Sequence, residues 1–589
     1  MRPGKKFTRG FLPSLLCLIT MLVVACGGSS STGPGQPSPG SAGKAPANQQ
    51  IAILPLSGFS DIATFDPGLS TDAYSTAAID MVFTGLVQLN DQLQVTDQLA
   101  ASHQLMPDGV TWKFTLRSNL KFSDGTPLTS ADVAYSIDRA LQPAEKSTVG
   151  PIYLALIKDS DKLVAGKIKT IIGDSVLTPD PNTVIIVTNK KAAYFLDALT
   201  YSCSYVLEKS LVDKYGTKFT DHLTEGGGDG PFKVASYTHG QNIVFVPNPN
   251  YYGPIPQLKK VVFPFYKQAD TTYKAYQVGQ VDSAGVPTQN LAQARSLTAE
   301  FHQEPQLWIN YYAMNYLVKP FDNIHIRQAF ELAINKDLIA HAVWHDLYTP
   351  TNHIVPKGMP GYSPNLTGPD GVASTAGDQA KARALFQQGL QEEGWSSVTQ
   401  MPPVTLTYAS VGAADIRNEV SALQQMWQSV LGVSVKGDDI DFNKELTEIT
   451  AAINNPKGLQ FWGIAWIADY PDPQDWTTLQ FDKGAPNNTW NYGQNNSSDS
   501  AQQQAVQQQL EAADAMPPGD ARLQQYMNAE QQLVNDVAWL PMEQVNAAIL
   551  RKPCLTGLVD NAQGLVPPND WGNIYISTAT PCADTSSFQ

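Results

Sequence analysis

The chain has 589 residues, 42% of them hydrophobic and 16% charged, an ordinary composition for a globular protein. Its net charge of −15 at pH 7 argues against a nucleic-acid binder, which needs a basic face. The length corresponds to three or four domain-sized units, some of which can be assembled from separated segments.

The chain opens on Arg2, Lys5, Lys6 and Arg9, followed by an apolar run from Phe11 to Ala25. That run is too short and wrongly flanked for a membrane span and reads as a secretory signal, residues 1–25. Its end, Val23-Val24-Ala25-Cys26, resembles the lipobox of bacterial lipoproteins. The resemblance implies cleavage before Cys26 and lipidation of its thiol, with an ordinary signal peptide or anchor helix as the alternative. Residues 26–50 are rich in Gly, Ser, Pro and Ala and nearly free of charge. They cannot bury enough apolar surface to order themselves and read as a flexible tether reaching about 25–30 Å. No later segment approaches the roughly 20 apolar residues of a spanning helix.

From Ile51 onward strand and helix signals mix. Ile51-Ala52-Ile53-Leu54 is a short apolar strand, and Thr111–Leu116 alternates polar and apolar as a half-buried strand does. Phe122–Pro127 carries turn chemistry. Thr129 or Ser130 then caps a helix with Val133, Ile137 and Leu141 on one face. Further strands fall at Val184–Thr188 and Ile243–Val246. The Gly226–Gly230 run lacks the lysine and hydroxyl residue of a phosphate loop and reads as a mobile turn. Ile416 to Leu431 has helical spacing ended by Gly432, with a strand at Val433-Ser434-Val435. Residues 501–536 read as Gln-rich helix broken near Met516–Gly519. The class is mixed α/β.

Of the cysteines left after Cys17 and Cys26, Cys554 and Cys582 form a reasonable disulfide pair, with free thiols as the alternative. Cys203 reads as a buried free thiol. His341 and His345 stand at metal-ligand spacing with His353 beyond, yet chance histidines on a solvated helix face are the favoured account. The acidic run Asp438, Asp439 and Asp441 lacks a calcium-loop pattern. H-E-x-x-H, G-x-S-x-G and paired-cysteine motifs are absent. The expectation is therefore no enzyme, no cofactor and no metal.

Several blocks in order resemble the extracellular solute-binding proteins of peptide- and nickel-type ABC importers (family 5). They are Lys121–Thr129 with Asp132-Val133 and Tyr135-Ser136, then Gly230–Val234 and Pro247–Gly253. Pro320-Phe321-Asp322, Ile326–Ala329 and Ala333–Lys336 follow, then Trp466-Ile467-Ala468-Asp469-Tyr470-Pro471-Asp472-Pro473 and Asn491-Tyr492. The resemblance implies a large, cluster C type periplasmic-binding-protein-like fold, with two lobes, a hinge and an extra domain beside lobe I. Lobe I would comprise 51–90, 205–305 and 538–589, the extra domain 91–204, and lobe II 306–537.

In oligopeptide- and dipeptide-binding members, the aspartate of W-x-A-D-Y pairs with the peptide α-ammonium, which assigns that role to Asp469. A buried carboxylate is costly alone, and a cationic partner offsets its desolvation. Pro471 and Pro473 restrict the loop. Backbone groups of Ala465, Trp466 and Ile467 would pair with an extended ligand. Trp466 and Tyr470 would wall its first residue, and Trp490 and Asn491 belong to a second polar–aromatic cluster assigned to the ligand. A core role for Trp490, and a helix-capping role for Asp469, are the alternatives. The resemblance implies a monomeric receptor on the extracytoplasmic face of the membrane, held only by its N-terminal lipid. It would pass short peptides to an ABC permease and its ATPase. A receptor for a nickel chelate, haem, a glutathione-like thiol or an oligosaccharide is the alternative, as is a surface sensor.

Overall fold

The computed structural model describes residues 43–589. Cys26 and the signal sequence lie outside the described residues. The end of the expected tether is not loose. Ala45 is buried, its amide donates to the Ile576 carbonyl at 2.9 Å, and Thr578 N–H donates to the Gly43 carbonyl at 2.7 Å. Gln50, fully buried, donates from its side chain to the Ala45 and Ile576 carbonyls at 2.8 Å each. The tether reading is thereby corrected for residues 43–50: composition predicts no core there, but backbone partners near the C-terminus supply the order.

Three sheets carry the fold. The first is built from Ile51–Ile53, Leu56–Ser57, Phe232–Thr238, Asn242–Pro247 and Lys260–Tyr266. The second is a four-stranded antiparallel sheet of Ala100–Leu105, Thr111–Leu116, Val176–Asp180 and Thr183–Val187. Thr111–Leu116 buries Trp112, Phe114 and Leu116 on one face, as its alternation requires. Helix Ser130–Ala140 packs its Val133 and Ile137 against this sheet, and Thr129 and Asp132 close a capping box at its start.

The third sheet has seven strands. Its centre is the antiparallel pair Phe301–Met314 and Leu540–Arg551, the longest strands in the molecule. Leu550 joins a core with Ile51, Ile53 and Val262 of the first sheet, and Tyr312 and Leu540 join another with Phe461 and Trp427. The register of the two strands breaks between Pro305 and Ile309, an irregularity of the kind that bends a strand pair. Phe461–Ile467, Val404–Tyr408 and Val435–Asp439 extend the sheet beyond Phe301–Met314. Helix Ala414–Leu431 covers it with Val420, Leu423 and Trp427 and stops at Gly432, φ +73°. Two helices, Ser500–Asp514 and Asp520–Asn535, flank the break at Met516–Gly519.

Two details correct or complete the sequence reading. The Gly226–Gly230 run is a packed turn, not a mobile one. A side chain at Gly228 would meet the Val82 carbonyl at 2.2 Å, so glycine there serves close backbone approach. Asp229 is wholly buried and accepts from Thr84 N–H at 2.8 Å and its hydroxyl at 2.9 Å. Cys554 and Cys582 are joined by a disulfide, and Cys203 is a buried free thiol. No helix among the described residues is long and apolar enough to cross a membrane.

Candidate ligand site at the Asp469 loop

Strand Phe461–Ile467 delivers the loop that carries Asp469. One edge of this strand pairs along its whole length with residues 308–314. Its other edge pairs with Val404–Tyr408 only at Phe461 and Trp462. The Ala468 amide donates to the Leu307 carbonyl at 2.9 Å. Alternation along an antiparallel pair therefore turns the amides and carbonyls of Ala465 and Ile467 toward the opposite edge. Among the described residues no strand occupies that edge; residues 463–466 are only partly buried and Ile467 is exposed.

Beyond the strand the chain turns sharply. Asp472, not Asp469, caps the short helix Pro473–Trp476, accepting from Gln474 N–H at 2.9 Å, with Pro473 at the helix start. Arg522 grips Asp472 with two hydrogen bonds, 2.6 and 2.8 Å, and also donates to the Tyr526 hydroxyl at 2.9 Å. This bidentate pair, both partners largely buried, fixes the loop to helix Asp520–Asn535.

The Asp469 carboxylate accepts a hydrogen bond from the Tyr153 hydroxyl, across from the Thr111–Leu116 sheet region. Tyr153 stacks on Tyr201 at 3.8 Å between ring centroids. Asp475 lies just behind, accepting from the Asp469 amide and from Trp466 Nε1, each at 3.2 Å. One oxygen of Asp475 has no hydrogen-bond partner. Burial pushes the Asp469 carboxyl up to about 7, against the opposing pull of the Tyr153 hydrogen bond. Burial, then the neighbouring Asp469, pushes Asp475 well above the carboxylate range. Two close carboxyl groups with no basic side chain on them form a site short of positive charge.

Other residues assigned to the ligand lie elsewhere. Tyr470 is 2% exposed, its hydroxyl donates to Gln474, and its ring packs against Tyr153 and Tyr194. It supports the loop from beneath instead of walling a ligand. Trp490, 2% exposed, sits among Tyr311, Phe481 and Trp539. Asn491, 1% exposed, donates to Asn315 and Ala452 and accepts from Asn454 N–H. The ligand assignment of these three side chains is corrected: each spends its surface on core or loop partners. Trp466 and Ile467 keep partly open surface. Tyr153 was missed because 316 residues separate it from Asp469, and no local pattern marks it. Of the histidines, His341 pairs with Asp346 and His353 lies by Glu530.

Residues 94–489 match the family described as bacterial extracellular solute-binding proteins, family 5 Middle. The chain belongs to this family. The oligopeptide-binding protein OppA of Bacillus subtilis is 27% identical over 488 residues, covering 82% of this chain and 85% of that protein. The murein tripeptide binding protein MppA of Escherichia coli superposes with a TM-score of 0.74 at 23% identity, covering 90% of this chain and 99% of that one. Haemophilus influenzae OppA in complex with RPPGFSPFR superposes at 0.70 and 20% identity, covering 90% and 99%. The fold is accordingly the two-lobed α/β architecture of periplasmic oligopeptide-binding proteins. Members of the family are described as solute-binding proteins.

Proposed function

We propose that this protein is an extracytoplasmic receptor that captures short peptides between its lobes and delivers them to an ABC importer. One observation carries the reading: a strand edge at Ala465 and Ile467 that no strand among the described residues covers runs into a carboxylate, Asp469, whose partner there is the Tyr153 hydroxyl and not a basic side chain. An extended peptide offers the complement, backbone groups for the edge and an α-ammonium for the carboxylate. The relatives support it, since one is named an oligopeptide-binding protein and another is in complex with RPPGFSPFR. Residues 51–90, 205–305 and 538–589 would form lobe I, 91–204 the extra domain and 306–537 lobe II. Lipidation at Cys26 would hold the monomer at the membrane; radiolabelled palmitate incorporation, abolished in Cys26→Ser, tests it.

Calorimetric titration decides the ligand. The protein, unfolded and refolded to strip carried-over solute, is titrated with two- to six-residue peptides and with the same pool acetylated at the N-terminus. Heat from the free pool alone supports capture through the α-ammonium. Equal heat from both removes the ammonium from recognition, and silence from both shifts the assignment to a non-peptide solute. Asp469→Ala should weaken capture by roughly 2–5 kcal/mol, the cost of leaving one charge of a desolvated pair alone.

A further inference from the structure

Where strands Phe301–Met314 and Leu540–Arg551 meet helix Ala73–Val82 lies a cavity of about 220 Å³. Glu304 and Gln306 reach it from Phe301–Met314, Arg551 from Leu540–Arg551, and Asp80 from helix Ala73–Val82. The connection to the site is short. Gln306 precedes Leu307, whose carbonyl accepts from the Ala468 amide, and the Gln563 side chain donates to the Ala468 carbonyl at 3.4 Å.

The charges in this cavity do not balance. Arg551 donates to Asp560, and His302 Nδ1 lies 2.9 Å from the same carboxylate, so both basic groups are committed to one acid. Two further carboxylates have no cation. Asp80 is 9% exposed and its Oδ1 has no hydrogen-bond partner. Glu304, half-buried, enters no ion pair among the described residues, and burial and then Asp560 raise its pKa. Burial drives Asp80 up to about 7 although the Tyr205 hydroxyl opposes the shift. Tyr205 accounts for one oxygen of Asp80, and the other is buried without a hydrogen-bond partner in the cavity wall.

Size narrows what could meet these groups. The volume is below the roughly 300–1,000 Å³ of a whole small-molecule site, which suits a single side chain. Leu54, Phe263 and Trp571 supply apolar wall, and lysine and arginine bury their methylene stems against such wall while the charged end finds polar partners.

We propose that this cavity is a specificity pocket for a lysine or arginine side chain of the bound peptide, with Asp80 and Glu304 as its recognising groups. The inference rests on the peptide reading of the Asp469 site and deepens it: the receptor selects basic peptides.

The test is a set of tripeptides and tetrapeptides carrying lysine, norleucine or glutamate at each position after the first, titrated into the intact protein, Asp80→Asn and Glu304→Gln. At one position lysine should bind about tenfold or more tighter than norleucine, with glutamate weakest. Glu304→Gln should erase most of that preference while norleucine peptides keep their affinity. Glu304 is partly open, so this variant stays informative if Asp80→Asn fails to fold. Equal affinity for lysine and norleucine at every position overturns the pocket and leaves the peptide reading standing. If no peptide binds, the peptide reading fails, and n-butylguanidinium decides the pocket alone. A rise in melting temperature that is absent in Glu304→Gln supports it, and no rise overturns it.

Discussion

Asp469 illustrates how a carboxylate can be held ready for a cation. Its amide is tied to Asp475, its oxygen takes the Tyr153 hydroxyl, and burial holds the acid form up to a pH of about 7. Pairing with an ammonium favours the ionised form, so ligand must lower this pKa. Binding near pH 6 should therefore release a proton, and affinity should rise as pH climbs toward about 7. It should level off until the peptide α-ammonium, with an ordinary pKa of roughly 8, begins to lose its own proton. Calorimetry in two buffers of different ionisation enthalpy reads the released proton directly. A buffer-independent enthalpy at pH 6 would place the titrating group elsewhere. The motif made Asp469 legible in the sequence. Trp490 and Asn491 were misread because aromatic and amide residues in a loop look alike whether they line a cleft or plug a core. Burial on every side, by Tyr311, Phe481, Trp539 and Asn315, is a property of the folded chain alone.

Among elements, the loop after Phe461–Ile467 is held by the Arg522–Asp472 pair more than by its prolines. Removing the guanidinium leaves Asp472 largely buried with no counter-charge, so Arg522→Ala should cost about 3–5 kcal/mol in urea unfolding. Ligand affinity should fall with it, because the loop that presents Asp469 loses its anchor; retained affinity would show that the loop is fixed by other contacts. The disulfide Cys554–Cys582, spanning a separation of 28 residues, closes a loop within the last segment of the chain. In the chain-entropy account its loss costs about 3–4 kcal/mol, readable as a lower urea midpoint for Cys554→Ser/Cys582→Ser. Elements with strong local signals were the ones the sequence made plain. Thr111–Leu116 alternates, helix Ser130–Ala140 has its capping box, and helix Ala414–Leu431 ends on a left-handed glycine. The Gly226–Gly230 turn went astray because glycine serves mobility and close packing equally well. Only the Val82 backbone, remote in sequence, tells which is meant.

At the scale of the molecule, several acids among the described residues are buried without an ion pair. Asp80, Asp197, Asp229 and Asp469 are each pushed up to about 7, in every case chiefly by burial. A carboxyl raised in the folded state contributes stability that is complete below its unfolded pKa, near 4, and lost as pH rises through about 7. Acids lowered in the fold, such as Asp499 beside Arg327, stay ionised in both states above pH 5 and add no slope there. The ligand-free protein should therefore melt at a higher temperature at pH 5 than at pH 8. Bound peptide should reduce the difference, since it holds Asp469 ionised. A melting temperature that rises between pH 5 and 8 would contradict these buried-acid assignments.

The sequence by itself determined the class, the order of the family blocks and the residue that heads the candidate site. Those properties are written in short windows, as alternation, helical spacing, caps and the octad around Asp469. Tertiary structure alone decided that Tyr153 meets Asp469, that Arg522 secures Asp472, and that Asp80 and Glu304 share one cavity. Each of these pairs joins residues dozens to hundreds of positions apart. Their charges interact only because folding removes the intervening water, and that desolvation depends on which surfaces close over them.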